Sequence, residues 1–195
     1  MRYPTQHKAK IHERLLKKAS QEIRRRGVQG TGIASLMAKL GMTHGGFYSH
    51  FDSKNALVAE ATVSMFEEHA NIALATVEAA PDGQRLRTLI NLYLSKEHRD
   101  SPEVCPMASL GGEMARQSPT VRKAFIRGME ERLRKVAGFV PGRDERERRD
   151  RARLLMSGLA GAMMIARTIT DPEASDRFLE QAREFYASAF ESSPV

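Results

Sequence analysis

From Ile11 to Phe190 the apolar residues of this chain recur every three or four positions. No stretch alternates apolar and polar residues with the β-branched content of a strand. A period near 3.6 belongs to the α-helix, and an apolar stripe on a helix needs another helix to cover it. The chain is therefore expected to be all-α, with nine helices. Ile11, Leu15, Leu16, Ala19 and Ile23 share one face of the first, which ends in Arg24, Arg25 and Arg26 before Gly27. A basic last turn and a glycine stop are C-terminal signals. Thr31 or Gly32 opens the second, with Ile33, Leu36, Met37 and Leu40 inward and Gly41 as its end. Thr43 caps a third, and Asp52 or Ser53 caps a long fourth reaching Ala79. The turn clusters "APDGQ", "HRDSPEVCP", "RQSPT", "FVPGRDE" and "TDPEAS" separate five more, over 84–98, 105–116, 119–138, 144–169 and 173–191. The tail "ESSPV" reads as frayed.

Charge divides the chain unevenly. Residues 1–54 hold eleven Lys or Arg and three acids, a net of +8, so the other 141 residues sum to −1 against a total of +7. A compact basic segment on a near-neutral body suggests a head that binds a polyanion, and the regular apolar pattern within it argues against a merely solvated tail. With 195 residues and 41% apolar content a sizeable core is possible. The longest apolar run, "MSGLAGAMMIA" at 156–166, is too short to span a bilayer. There is no secretory leader pattern, and the single cysteine fits a reducing cytoplasm.

The stretch "GMTHGGFYSHFDSK", 41–54, raises a specific question. Each interior glycine costs a helix about 1 kcal/mol relative to alanine, yet Gly45 and Gly46 stand side by side. The cost makes sense where a helix must approach something closely. Helix, glycine turn, helix over Thr31–Phe51 is the helix-turn-helix arrangement, whose second helix enters the DNA major groove. Gly45 and Gly46 remove the side chains that would hold the backbone off. Thr43 and His44 at the helix start face bases or phosphates, and Tyr48 and His50 reach backbone phosphates. Lys54 adds a cation at a helix start that already favours anions. Phe47 and Phe51 read as core, with Leu36, Leu40 and Leu57.

These residues resemble the DNA-binding domain of the TetR family of bacterial regulators. The resemblance covers residues 8–60 and rests on Gly41-Met42-Thr43, Tyr48-Ser49-His50-Phe51 and Ser53-Lys54 after "GIASLMAKL". It extends to a subgroup with "THGGFY" in the recognition helix and "CP" opening a later one. Where the family often has a phosphate-binding hydroxyl residue this chain has Gly32, and Thr31 is assigned that contact. The resemblance implies residues 1–54 as the DNA-binding domain and 55–195 as a ligand-binding and dimerisation domain. The six histidines show no zinc-binding spacing such as HExxH, and neither a metal nor a cofactor is expected. The resemblance also implies a homodimer through the last two helices, a double-stranded palindromic operator and release by a small-molecule effector.

The body fits that picture. The helix around 156–166 is apolar nearly all round, and a partner chain would cover its far side, with Ser157, Gly158, Gly161 and Ala162 letting two backbones approach. Phe178, Ala182, Phe185 and Ala189 form one stripe of the last helix, and Leu179, Tyr186 and Phe190 the next. Seven of the ten methionines follow residue 60, and methionine suits adaptable apolar surfaces. The expected cavity lining is Phe66, His69, Leu89, Tyr93, Met107, Leu110, Met114, Phe125 and Met163. Glu113 is either a polar contact there or an exposed or Arg-paired glutamate. With no basic cluster evident inside, a mainly apolar effector is expected. Cys105, before Pro106, falls at a helix N-cap, where the dipole can activate a thiol toward electrophiles or oxidants. Inert packing is the alternative for a lone cysteine. Two other functions were weighed. His98 and Cys105 could mimic a catalytic pair, but no third group orients them. A sequence-neutral DNA-coating protein would leave the large near-neutral body without a purpose.

Overall fold

The computed structural model describes residues 5–191, and the side chains of all of these except 5, 6 and 69–73. The described residues form nine α-helices: α1 (Thr5–Arg26), α2 (Ile33–Lys39), α3 (Lys54–Ala79), α4 (Arg85–Tyr93), α5 (Lys96–Asp100), α6 (Pro106–Met114), α7 (Pro119–Ala137), α8 (Glu145–Ala166) and α9 (Pro172–Glu191). They contain no strand. Side-chain caps open several of the helices, Ser53 being one of the two alternatives expected for the long helix. Ser53, Ser95, Ser118 and Asp144 each accept a backbone N–H of the helix they open. Pro106 and Pro119 stand in first turns, where a missing N–H costs nothing.

Two departures from expectation offset each other in the count. The segment His44–Ser49 winds as a 3₁₀ helix and not as an α-helix. The tighter winding suits a six-residue piece held at one end by the Thr43 hydroxyl, which accepts the Gly46 N–H at 3.3 Å. The helix expected over 84–98 is broken at Leu94, because Ser95 caps a new start by accepting the His98 N–H at 3.0 Å. The frayed-tail expectation falls, beyond Glu191, outside the described residues.

One helix organises the rest. The α3 helix carries Leu57, Ala61, Met65 and Phe66 into a first core and Val77 into a second. The first core joins Leu15, Ala19 and Ile23 of α1, Leu36 and Met37 of α2, and Phe47 and Phe51. It also takes Leu110 and Met114 of α6 and Val121 and Phe125 of α7, so packing runs across the head–body junction. The second core is built by α4, α7, α8 and α9 around Ile90, Leu133, Leu155, Leu159 and Leu179. Full burial of each such leucine or isoleucine contributes about 1.5–3 kcal/mol.

On α7, Gly128 lets α3 lie close. A Cβ there would stand 2.4 Å from Cδ2 of Phe66, whose ring meets Phe125 edge-on at 5.2 Å. Gly128→Ala is therefore expected to destabilise the fold by about 1–3 kcal/mol. Gly111→Ala, whose Cβ would meet nothing within 4 Å, should cost nothing. Thermal unfolding of both variants beside the parent chain checks this; equal midpoints would remove Gly128 from the packing.

Candidate functional site

The head presents one exposed edge. After α2, Gly41 turns the chain at φ +69° and Thr43 continues in extended backbone. The segment His44–Ser49 then lies on the core through Phe47, which is fully buried and stacks on Phe51 at 5.7 Å. This anchor leaves Thr43, His44, Gly45, Tyr48 and Ser49 outward. Tyr48 is 57% exposed, and its ring meets His44 edge-on at 6.0 Å. A Cβ on Gly45 would meet nothing within 4 Å, whereas one on Gly46 would touch Thr43, Met37 and Met42 at ordinary distances. Lys54 is the first residue of α3 and half-buried.

Two expected contacts are placed differently. Thr31 is buried, and its hydroxyl donates to the Gly27 carbonyl at 2.9 Å, so it closes the α1–α2 turn and faces no phosphate. His50 is half-buried with its Nδ1 enclosed and without a partner. Burial first, then Lys8, His12 and His7 nearby, hold its pKa below the usual histidine value. The basic count of the head also shrinks. Arg24 is buried and donates to the Glu68 carboxylate and the Met65 carbonyl, each at 3.1 Å, bracing α1 on α3. Glu22 gathers Lys39 at 2.6 Å, with Arg26 at 3.6 Å and Lys18 at 3.8 Å, and the Lys39 hydrogen bond lowers its pKa.

The head is also tied to the body by Glu113, which pairs with backbone rather than with an arginine or a cavity. The Glu113 carboxylate, near the end of α6, accepts the N–H groups of Val28 and Gln29 at 2.9 and 3.0 Å. It satisfies two backbone donors of the α1–α2 turn. Gly27 makes room: its φ is +72°, and a Cβ would stand 2.7 Å from the Glu113 Oε2. Hydrogen bonds to an ionised acceptor contribute about 1.5–3 kcal/mol when sheltered, and these are partly open to water. Glu113→Ala is expected to lower stability by about 1–2 kcal/mol and to speed hydrogen exchange at Val28 and Gln29. Unchanged exchange at both amides would show that the turn holds without it.

Inside the body the expected lining residues separate. Phe66, Leu110, Met114 and Phe125 fill the first core, with Met107 half-buried against it. Met163 and Cys105 fill the second. The side chain of His69 lies outside the described residues. Leu89 and Tyr93 line a cavity of about 260 Å³ between α3, α4, α7 and the 95–103 segment. Phe66 borders a second, of about 320 Å³, between α3 and α7. Arg132 of α7 lines both. It is 2% exposed, and none of its Nε, Nη1 and Nη2 atoms has a hydrogen-bond partner. Among the described residues a single buried cation thus stands in a body for which the sequence shows no internal basic cluster. Its place on α7 was readable: Val121, Phe125, Gly128, Arg132 and Val136 follow one helical stripe, and a charge on such a stripe is the anomaly to notice.

The rim of the first cavity is pinned by His98. Its Nδ1 lies 2.6 Å from the Tyr93 carbonyl and donates to it, while Nε2 accepts the Cys105 N–H at 3.0 Å. Both ring nitrogens are engaged, which fixes the neutral tautomer and leaves neither to serve as base for the buried Cys105 thiol. Burial chiefly, with Arg132 and Arg167 nearby, lowers the His98 pKa, against the Tyr93 carbonyl. On the other side Arg99 and Lys96 hold Asp176 of α9 at 2.7 and 2.5 Å. A histidine with a depressed folded pKa binds its proton first in the unfolded chain. Its contribution is intact above about pH 6.5 and lost as pH falls below it. The melting temperature is expected to fall from pH 7 to pH 5, and more shallowly in His98→Gln, with His50 supplying the remainder. An identical slope in the variant would exclude His98.

Residues 15–61 match the model of the family described as bacterial regulatory proteins, tetR family. A transcriptional repressor of Mycobacterium sp. (strain GP1), DhaR, is 24% identical over 121 residues, 62% of this chain and 61% of that protein. The chain thus spans less than two thirds of that relative's length. Among solved structures, reduced NemR of E. coli superposes with a TM-score of 0.76 at 18% identity, over 94% of this chain and 98% of that one. A regulator from Chloroflexus aurantiacus gives 0.72 at 22% identity, over 94% and 96%. No described helix is long and apolar enough to cross a membrane, and the described residues hold no cluster of three metal-ligating side chains. The head thus matches the tetR family of bacterial regulatory proteins over residues 15–61, and the body shares the all-α fold of these solved structures.

Proposed function

We propose that this protein is a ligand-responsive, sequence-specific DNA-binding repressor that acts as a homodimer. One observation carries the DNA reading. The short segment after α2 is fixed to the core by Phe47 and holds Thr43, His44, Gly45 and Tyr48 outward on a single edge. These residues and Gly46 enter the major groove, with Lys54 on a phosphate. Thr31 and His50 hold the local structure. The "THGGFY" run marks a subgroup of the family on this reading.

The dimer reading rests on α8 and α9. Leu154, Ile165 and Phe185 are 67%, 45% and 65% exposed, and Ser157 and Gly161 lie open among them. Two small residues first assigned to this face serve their own chain instead: Gly158 receives the Tyr186 ring, and Ala162 is buried. A second copy covers the remaining face, and its two-fold symmetry implies a palindrome with recognition segments about 34 Å apart or somewhat more.

Release follows from linkage. An effector that prefers the body in a conformation whose heads no longer match the operator spacing weakens DNA binding. A coupling of about 1–3 kcal/mol corresponds to roughly 5–150-fold. A mainly apolar molecule in the cavity of Leu89 and Tyr93 is the effector this reading requires.

Selection of bound duplexes from a random DNA pool, at two salt concentrations, tests the proposal. A palindrome should be enriched, and Tyr48→Ala or Lys54→Ala should bind it roughly tenfold more weakly while remaining folded dimers. Binding without sequence enrichment would favour a DNA-coating protein, and unchanged affinity in both variants would displace the proposed interface.

A further inference from the structure

Arg132 is at odds with its surroundings. A guanidinium stays charged at any pH a protein tolerates, and an unpaired buried charge is among the most costly features a fold can hold. Yet all three nitrogens of this side chain are buried and without a partner. Two cavities meet at it. A second group shares its predicament. Tyr93 lines the first cavity, and its hydroxyl is buried beside Cys105 without a hydrogen bond of good geometry. Burial first, and the Cys105 thiol beside it, raise its pKa well above the usual phenol value, so it stays a donor.

Two buried donors without a hydrogen-bond partner, on two residues that line one mainly apolar space, ask for the same thing, an acceptor carrying negative charge. The other walls define the rest of the molecule. Leu89 and Leu92 with the Tyr93 ring offer apolar surface, and about 260 Å³ admits a short chain or one small ring. Glu97 and Glu103 border the same space from the 95–103 segment but are exposed, and neither reaches Arg132. A planar fork of N–H donors matches a carboxylate with two parallel hydrogen bonds.

We propose that Arg132 is the anchor of an effector that is a small carboxylic acid, its carboxylate held by the guanidinium and the Tyr93 hydroxyl and its apolar body lying on Leu89 and Leu92. This rests on the ligand-responsive reading above and narrows its effector to monoanions with a short hydrocarbon part. Binding supplies the missing counter-charge, so α7, α4 and the 95–103 segment are drawn together around it.

The 195-residue protein is tested by thermal unfolding with straight-chain carboxylates from acetate to octanoate, against the matching primary amides at constant ionic strength. At least one carboxylate should raise the melting temperature while its amide does not. Arg132→Met, similar in length and uncharged, should abolish the shift and weaken binding about 10- to 100-fold. It should also melt no lower than the parent without ligand, because an unpaired buried charge has been removed. Tyr93→Phe should retain a reduced shift. No shift with any acid, equal shifts with amides, or a shift that survives in Arg132→Met would each overturn the proposal. A marked loss of stability in unliganded Arg132→Met would do so too, since it would show that the guanidinium is a structural partner. Operator affinity of the same samples separates the two readings. An acid that binds through Arg132 but leaves that affinity unchanged overturns the effector role alone. Failure to bind DNA without ligand counts against the regulator reading, with the thermal result standing by itself.

Discussion

Every other part of the molecule takes its position from the close lie of α3 against α7. The approach is set where Gly128 meets the Phe66 ring, a spot with no space for even a methyl group. Because α3 begins at Lys54 beside the recognition segment and runs to Ala79 beside α4, the same helix belongs to both cores. Head and body therefore share a rigid element, and the α7 face that fixes its depth also carries Arg132. Interiors at crystal-like density pass displacements on because they cannot absorb them. A change in how α7 seats against α3 is thus felt at both ends of α3.

A second tie bypasses α3. Glu113 of α6 holds the backbone of the α1–α2 turn, some 85 residues away in sequence. The other end of α6 opens at Cys105, whose N–H is held by His98 at the rim of the first cavity. A nine-residue helix thus touches the rim of the cavity at one end and the head at the other. Such an element has the geometry needed to let a cavity and a DNA edge bias one another, the physical content of coupling between sites.

The sequence made much of this legible because helices announce themselves locally. Apolar spacing places eight of the nine α-helices, and cap chemistry narrows the start of α3 to Asp52 or Ser53. The exposed edge of Thr43, His44, Gly45 and Tyr48 was legible for the same reason, since Phe47 and Phe51 could be set aside as core. What failed was whatever depends on partners that apolar spacing does not mark. Thr31 and Glu113 have hydroxyl and carboxylate groups suited to a ligand, but the first is taken by the Gly27 carbonyl four residues back and the second by the distant Val28 and Gln29 amides. The cavity lining was over-assigned because apolar periodicity separates buried from exposed, not packed from hollow. Arg132 breaks the apolar stripe of α7, a local signal whose meaning depends on the cavities beside it.

The two left-handed glycines have a consequence in genetic terms. Gly27 and Gly41 flank α2, at φ +72° and +69°, and they are the only described residues with positive φ. They are not equivalent. At Gly41 a side chain would meet open space, so only the backbone conformation resists replacement and asparagine is tolerable. At Gly27 it would meet the Glu113 carboxylate as well. Alleles that lose regulation while leaving every DNA-facing side chain intact should therefore gather at Gly27. Second-site revertants of such alleles should map to position 113, where a shorter side chain clears the space, rather than to the recognition segment.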